Sequence, residues 1–420
     1  NTATTFLNTG NLVLGNAAGD TLTFAGGLTA TAPAAVQAAG TVGTTHAAIV
    51  LGTAPVTLTD NTSFNAGSGL ITLGGTVDGA YSLALNSTGV TTLGSAVGDG
   101  AALSSITTNT GGTVVIKGGR ITTSGAQTYN DDVLLDNAAA RATVLNTSNA
   151  AVLLGAKLNN NTANAEALTV NTGNGAVTFT GAVGDAVGTN NGPVGALAVN
   201  TTGATTFVNT VDAASVTTNT GGTVVIKGGR VTTSGAQTYN DDVLLDNAAA
   251  RATVLNTSNA AVMLGGKLSN NTAAAEALTV NAGSGAVTFT GAVGDAVGTN
   301  NGPMGAVAVN TTGATTFVDT VDAANVTTNT GGTVVIQGGR VTTTGAQRYA
   351  ELVTLSGNTT LTGSAIRFDD AVTGTGSLNV VGATTLNGAT VTTHGAQSYG
   401  GAVTLLKNTV LDADAALVSF

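Results

Sequence analysis

The residues of this chain that are best suited to chemistry are aspartates that stand side by side. Neighbouring carboxylates can hold Ca²⁺ when further oxygen ligands converge on the ion, but adjacent strand residues point to opposite faces, so each pair supplies one ligand per face. The glycine-rich nonapeptide that binds calcium in toxin-like β-rolls is absent. We therefore interpret the pairs as turn-forming residues, with Ca²⁺ as the only cofactor that they suggest. The pairs are Asp131 with Asp132, Asp241 with Asp242, and Asp369 with Asp370.

A polar segment that occurs twice is a second candidate for binding. The sequence GDAVGTNNGP begins at Gly184 and again at Gly294, and its NGP triplet is typical of a turn. Asp185 and Asp295 within it are further candidates for Ca²⁺. We favour a solvated loop, or a contact between neighbouring filaments, over a metal site. The residues proposed for partner contact are Thr189, Asn190, Asn191, Thr299, Asn300 and Asn301.

The sequence shows no pattern typical of a catalytic site. Polysaccharide-cleaving β-helices need a pair of carboxylates, or an aspartate-bound metal with basic residues nearby. Glu166 and Glu276 stand alone, His46 and His394 are not repeated, and cysteine is absent. We predict that the chain is not an enzyme.

Four tyrosines occupy equivalent points of a short motif, GAQxY. Because a tyrosine combines a large apolar ring with a hydroxyl, we predict that each one packs over a coil edge and hydrogen-bonds through its hydroxyl. We prefer this structural role to stacking against a ligand. The four residues are Tyr129, Tyr239, Tyr349 and Tyr399.

The elements that must position these residues form a tandem repeat. The segment ITTNTGGTVVIKGGR begins at Ile106, and close variants begin at Val216 and Val326, so the repeat length is 110 (216 − 106 and 326 − 216). Residues 106–215 and 216–325 differ at only 12 of 110 positions. Such similarity indicates recent tandem duplication, so whatever one copy does, the next copy repeats.

The repeats also reveal a dispensable segment. The positions of two matching asparagines, Asn65 and Asn86, differ by 21, whereas those of their counterparts Asn171 and Asn200 differ by 29 (86 − 65 and 200 − 171). The additional stretch corresponds to 186–193, which recurs at 296–303. A segment that can be missing while both flanks keep their pattern is expected to be a surface loop.

The local pattern predicts strands and an all-β fold. Short β-branched runs, several with period-two alternation, are bounded by Gly, Asn, Asp or Thr. We predict a parallel β-helix, a β-solenoid of seventeen or so coils with about 22–27 residues in each. The 110-residue repeat would then make four or five coils, and a 50-residue spacing of GAQxY near the C-terminus two coils. The alternative is a series of antiparallel β-sandwich domains, since the longer repeat has an immunoglobulin-like length.

Composition favours the solenoid and excludes several function classes. Charged residues make up 8% and aromatic residues 3%, so a core of small and β-branched side chains is expected. The net charge is −10, and the twelve Lys and Arg form no cluster in the sequence, which argues against nucleic acid as a partner. No apolar run is long enough to cross a bilayer, and no transmembrane segment is predicted.

Two stretches resemble a known group of proteins. The segments VTTSGAQTYNDDVLL at 231–245 and VTGTGSLNVVGATTLNGATVTTHGAQSYGGAVTLL at 372–406 resemble the repeats of filamentous-haemagglutinin-like adhesins and related giant β-strand-repeat exoproteins of Gram-negative bacteria. The resemblance covers 65–420. It implies right-handed parallel β-helix rods that are secreted by the two-partner route and that act in attachment, aggregation or biofilm.

These inferences define an expected organisation and role. Residues 1–105 are diverged repeats, 106–215 and 216–325 are two close copies, and 326–420 are diverged, shortened repeats, all in one continuous solenoid from a longer chain. We expect a structural fibre or adhesin shaft at the outer cell surface or in the extracellular space. Its expected partners are further copies of itself, or neighbouring surface proteins and glycans. A glycan- or cell-binding module and, more remotely, a polysaccharide-active enzyme are the alternatives.

Overall fold

The computed structural model describes residues 2–137, 142–185, 192–247, 252–271, 275–294 and 302–420. Residues 1–214 and 215–420 form two compact units, which are described separately. The chain winds through about 19 turns of β-solenoid, against the seventeen or so expected. The described residues contain strands and turns without a helix, and therefore no helix long and apolar enough to span a bilayer.

The strands of both units pair in parallel with the strands of the following coil. Val152 pairs with Val177 in the first unit, and Val262 pairs with Val287 in the second. One isolated antiparallel bridge joins Asn160 to Gly192 at a corner. This pairing confirms the β-solenoid and rules out tandem antiparallel sandwiches, while the right-handed sense of the winding stays a prediction.

The strands are short because each one crosses a single side of a coil. Those that begin within residues 1–214 are Thr4–Thr5, Asn11–Leu14, Thr21–Thr23, Leu28–Ala30, Ala35–Gly43, Ile49–Leu51, Val56–Gly67, Ile71–Leu73, Val77–Asp78, Ser82–Ser87, Val90–Leu93, Ser105–Thr108, Thr113–Ile116, Arg120–Thr122, Gln127–Tyr129, Asp132–Leu135, Ala142–Asn146, Val152–Leu154, Leu158–Asn160, Ala167–Gly173, Val177–Phe179, Val194–Thr201, Ala204–Phe207 and Val211–Thr218. Those that begin later are Thr223–Ile226, Arg230–Thr233, Gln237–Tyr239, Asp242–Leu245, Ala252–Thr257, Val262–Leu264, Leu268–Asn270, Ala277–Gly283, Val287–Phe289, Met304–Thr311, Ala314–Phe317, Val321–Thr328, Thr333–Ile336, Arg340–Thr343, Ala346–Tyr349, Leu352–Leu355, Thr359–Phe368, Val372–Gly374, Leu378–Leu386, Thr390–Thr393, Gln397–Tyr399, Val403–Leu405, Val410–Asp412 and Val418–Ser419.

Each coil has three sides, which the inward-facing residues of the second unit define. The chain visits side 1, side 2 and side 3 in turn before it returns to side 1. Side 1 is the stack Gln237, Val262, Val287, Thr315, Val334, Val353, Val372, Val391 and Leu411. Side 2 is the stack Val243, Leu268, Val293, Val321, Val341, Leu361, Val380 and Tyr399. Side 3 is the stack Thr253, Leu278, Val307, Val326, Gln347, Ile366, Thr384 and Val403.

Coil lengths vary more than the sequence predicted. The positions of Ile366 and its register partner Thr384 differ by 18, whereas those of Leu278 and its partner Val307 differ by 29 (384 − 366 and 307 − 278). The sides themselves change little, so the difference lies in the corners. Short corners near the C-terminus explain why more turns are present than expected.

The strands on either side of the predicted loop keep the same register with and without the additional residues. Asn65 pairs in register with Asn86, and Asn171 pairs in register with Asn200. The Nδ2 of the later residue donates to the Oδ1 of the earlier one in both pairs, at 2.5 and 2.8 Å. The coil thus closes with the same ladder whether or not 186–193 is present.

The expectation that both repeat lengths are whole numbers of coils is wrong. In the second unit Gln237 lies on side 1, Gln347 on side 3 and Gln397, which pairs with Leu378, on side 2. The chain crosses fourteen sides between the first two glutamines and eight sides between the last two, which are four and two-thirds and two and two-thirds coils. Each side is one strand between two corners, and the three sides are equivalent in this respect. A duplicated segment therefore fits into the solenoid when it contains a whole number of sides, even if it does not contain a whole number of coils.

The core contains larger side chains than the composition suggested. Phe179 stacks on Phe207 with ring centroids 5.2 Å apart, and Phe289 stacks on Phe317 at 5.1 Å. All four rings are buried. Aromatic residues therefore fit when they stack on one another along the axis, since a flat ring fills the width of the core and only a little of its length.

Candidate functional site

The GAQxY motif forms a polar cluster inside the core. The Nε2 of Gln347 donates to the carbonyl oxygens of Val341 at 3.2 Å and Thr362 at 2.8 Å, and to Oγ1 of Thr343 at 3.3 Å. The Tyr349 hydroxyl donates to Oε1 of the same glutamine at 3.0 Å. The glutamine therefore links the backbone of its own coil, at Val341, to that of the next coil, at Thr362.

The same arrangement recurs at every copy of the motif, which corrects the predicted position of the tyrosines. They lie within the core, with 0 or 1% of their surface exposed, and not over a coil edge. The predicted hydrogen bond of the hydroxyl is confirmed. Burial raises the pKa of each phenol far above its ordinary value. Rings so enclosed cannot stack against an external ligand. The corresponding hydroxyl bonds join Tyr129 to Gln127, Tyr239 to Gln237, and Tyr399 to Gln397.

A buried carboxyl group occupies one point of each 110-residue repeat. Asp131 accepts a hydrogen bond from the backbone N–H of Gly112 at 2.7 Å, and Asp241 accepts one from Gly222 at 2.7 Å. The second carboxylate oxygen of each is buried without a hydrogen-bond partner. Burial raises the pKa of both groups. These acids fasten the NTGG turn of the preceding coil.

The third repeat keeps the acid but changes its side chain. Glu351 replaces the aspartate, and its Oε2 accepts from the N–H of Gly332 at 2.8 Å. Burial raises the pKa of Glu351 to about 6. Sequence reasoning missed this residue because it considered pairs of aspartates, and here Leu352 takes the place of the second aspartate.

The second aspartate of each pair also acts within the solenoid. Asp132 accepts from the N–H of Lys157 at 3.0 Å, and Asp242 from that of Lys267 at 2.8 Å. As predicted, the members of these two pairs point to different sides of the strand, Asp131 and Asp241 being buried and Asp132 and Asp242 partly exposed. Among the described residues no group of three or more acids or histidines is close enough to hold a metal ion. The observed contacts support the structural interpretation of these pairs.

The third aspartate pair has different partners. Asp369 accepts from Nε of Arg367 at 2.7 Å and from Nε of Arg348 at 2.9 Å, and Nδ2 of Asn387 lies 3.3 Å away. Burial alone would raise the pKa of Asp369, but these donors hold it below its ordinary value. Asp370 accepts from the N–H of Ala371. The sequence did not single out these two arginines, which share one carboxylate on the surface of the second unit.

The repeated polar loop lies mostly beyond the described residues. Asp185 precedes it and forms an ion pair with Nζ of Lys157 at 3.0 Å, so its carboxylate has a cation already. The root of the second copy is held by Nδ2 of Asn270, 3.3 Å from the carbonyl oxygens of Gly302 and Pro303. The remaining candidate residues fall outside the described ranges: Asp295, Thr189, Asn190, Asn191, Thr299, Asn300 and Asn301.

Of the four residues weighed for catalysis, the two glutamates are buried and the two histidines are exposed. Glu166 and Glu276 are buried, and burial raises the pKa of Glu166, with nearby Asp136 adding to the effect. His46 occupies a corner with a φ of 55°, where its Nδ1 lies 3.3 Å from Oγ of Ser68. His394 lies 4.0 Å from Asp414 on the surface.

A shallow cavity opens on side 1. It has a volume of about 190 Å³ and lies where Gly374 follows Leu355 along the sheet. Its rim carries hydroxyl groups and one imidazole, from Thr354, Thr373, Thr375, Thr392 and His394. The rim includes no pair of acids, so it offers no acid and base for cleaving a glycosidic bond.

In comparisons with known proteins, no family model, no curated protein and no solved structure matches the chain.

Proposed function

We propose that the protein is a structural extracellular fibre or adhesin shaft that gives reach and stiffness at a bacterial surface. The observation that carries this proposal is the parallel pairing that continues from coil to coil through each unit. Each coil in the interior of a unit is hydrogen-bonded to the coil before it and the coil after it. Bending or stretching such a unit would break many backbone hydrogen bonds together, which is the property a shaft needs.

Side-chain contacts also join each coil to the next. Asn256, Asn281 and Asn310 form a ladder of amide hydrogen bonds of 2.7 Å each, and Lys227 pairs with Asp246 on the next coil at 3.0 Å. Like charges on neighbouring coils would repel, so alternating signs and neutral amides suit a stacked surface. These hydrogen bonds and this ion pair therefore stabilise the stacking of the coils.

The resemblance to filamentous-haemagglutinin-like repeats supports the location and the role. Residues 231–245 and 372–406, which carry the resemblance, lie in the unit that contains all three sides of the stack defined above. On this basis we place the shaft outside the cell, where it would associate with further copies of itself, with neighbouring surface proteins or with glycans.

Extension of the repeat tests the shaft directly. Variants with one or two additional copies of 216–325 would be imaged by electron microscopy beside the original chain. Four and two-thirds coils at about 4.8 Å each would lengthen the particle by roughly 22 Å per copy, at constant width. Particles that widen, or that gain a separate globule with each copy, would contradict the proposal.

A binding module built on the repeated loop is the second candidate. The long coil between Leu278 and Val307 and the anchoring of Gly302 and Pro303 by Asn270 favour it, because the insertion is carried on an intact ladder. Removal of 186–193 and 296–303 distinguishes the two functions. A shaft would keep its assembly and attachment without these segments, whereas a binding module would lose attachment and keep its fold.

A further inference from the structure

Two arginines lie directly opposite each other on the outer face of side 3. Arg348 and Arg367 are register partners on successive coils, and their side chains are 51 and 42% exposed. Equal charges at this spacing destabilise a sheet. The first two repeats avoid the repulsion, because Thr128 and Thr238 occupy the positions equivalent to Arg348. The third repeat therefore carries a locally unfavourable arrangement that its sister copies lack.

One carboxylate contacts both guanidinium groups. Arg367 contacts Asp369 through Nε at 2.7 Å and Nη2 at 2.6 Å, while Arg348 contacts it through Nε alone, at 2.9 Å. Among the described residues, the two terminal nitrogens of Arg348 have no hydrogen-bond acceptor. The neighbouring Asp370 is engaged with the N–H of Ala371 at the start of the next side. Two guanidinium groups thus share one carboxylate, in a chain whose net charge is −10.

The surroundings indicate what kind of anion would fit. The outward row that contains the arginines continues as threonines on either flank, at Thr327 before them and at Thr385 and Thr404 after them. Successive members of this row are about 4.8 Å apart. The free edge of a guanidinium binds a planar carboxylate through two parallel hydrogen bonds, and hydroxyls beside it suit a polyhydroxylated chain.

We propose that Arg348 and Arg367 form a binding site for the carboxylate groups of an acidic polysaccharide. The carboxylate accepts hydrogen bonds from the terminal N–H groups of Arg348, which have no acceptor among the described residues. The threonine row hydrogen-bonds the sugar hydroxyls on either side. The site is independent of the repeated loop, and it adds a ligand to the shaft proposed above without depending on that role.

Binding of the full chain to polygalacturonate tests the site, with uncharged dextran as the reference polymer. The chain should bind polygalacturonate and not dextran, and the affinity should fall as salt is raised. Arg348→Thr, which installs the residue of the other two copies, should weaken binding about tenfold or more because a bidentate contact is lost. Arg348→Lys keeps the positive charge but loses the paired donors of the guanidinium group, so it should also weaken binding.

Arg340→Thr is the matched control for net charge. Arg340 is paired with Asp322 at 2.7 and 2.9 Å, and its strand lies on side 2, so this variant should bind like the original chain. Circular dichroism and melting of the Arg348→Thr variant establish that it folds. Three results would overturn the proposal: no binding to polygalacturonate, equal loss in the Arg340→Thr variant, or self-association of the chain that Arg348→Thr abolishes.

Discussion

The glutamine of GAQxY shows how a single residue stabilises a corner of this fold. A buried polar group that loses its hydrogen-bond partner costs about 1–3 kcal/mol. Gln347 donates to the carbonyls of Val341 on its own coil and Thr362 on the next coil, and it accepts from the Tyr349 hydroxyl. The motif was recognisable from the sequence, but only the tyrosine was given a role. The signal for the glutamine was its two-residue spacing from the tyrosine, which places both on the inward face.

Truncation of this glutamine should be far more damaging than loss of the phenol. Gln347→Ala removes the amide hydrogen bonds to the carbonyls of Val341 and Thr362 and leaves the Tyr349 hydroxyl without its acceptor, so we expect a loss of about 3 kcal/mol or more. Tyr349→Phe removes one hydroxyl and should cost about 1–2 kcal/mol. Urea unfolding of both variants measures the difference. Equal effects, or a loss below that of Tyr349→Phe, would contradict the assigned role.

The buried acids predict a specific dependence of stability on pH. Burial raises the pKa of Glu351 from 4.5 to about 6. Between these two pH values the carboxyl group is therefore protonated in the folded state and ionised in the unfolded state. Its contribution is present below pH 4.5 and is lost as the pH rises through 6. We expect Glu351→Gln, which keeps an acceptor for Gly332, to raise stability near pH 7 by about 1–2 kcal/mol. It should have little effect at about pH 4, where the carboxyl group is protonated in the folded state.

Thermal or urea unfolding over a range of pH tests this expectation. The difference between the Glu351→Gln variant and the original chain should grow as the pH rises from 4.5 through 6. A difference that is constant over this range would mean that the carboxyl group titrates alike in the folded and unfolded states.

At the scale of the element, the unit of construction is the side and not the coil. The sequence was sufficient to predict strands and stacked coils, because both follow from short-range alternation and from comparison of copies. Coil length and phase could not be read in this way. They depend on how many residues each corner consumes, and the corner residues are similar Gly, Asn and Thr combinations whether a corner is long or short.

The inward and outward positions of one strand should respond very differently to substitution. Phe317 is buried and stacked on Phe289, so Phe317→Ala should cost about 3–5 kcal/mol through lost burial and a cavity. Thr316, its neighbour on the outer face, is partly exposed, and Thr316→Ala should change stability by less than about 0.5 kcal/mol. Chemical denaturation of the two variants provides the comparison. Similar costs would mean that the inward stack is not the core.

The whole molecule adds a consequence that no single repeat shows. Because a 110-residue copy crosses fourteen sides, each further copy within the second unit turns the same surface features to a different side of the stack. Tandem duplication thus distributes a repeated feature around the axis, which suits a shaft that meets neighbours in several directions. The function itself could not be predicted from geometry in the same way, since the side chains that hold coils together would be the same in a shaft of any purpose.

A distance measured across several coils of the second unit tests directly whether the coils are stacked as in a solenoid. Thr316 and Thr392 are far apart in the sequence, but they occupy one outward row, with Val335, Thr354 and Thr373 between them. The chain contains no cysteine, so a Cys pair at the two positions can be spin-labelled without background. Pulsed dipolar spectroscopy should give a narrow distribution centred about 19 Å apart, four coil spacings, after allowance for the labels. A broad distribution, or one centred well beyond that distance, would contradict the solenoid and the shaft built on it.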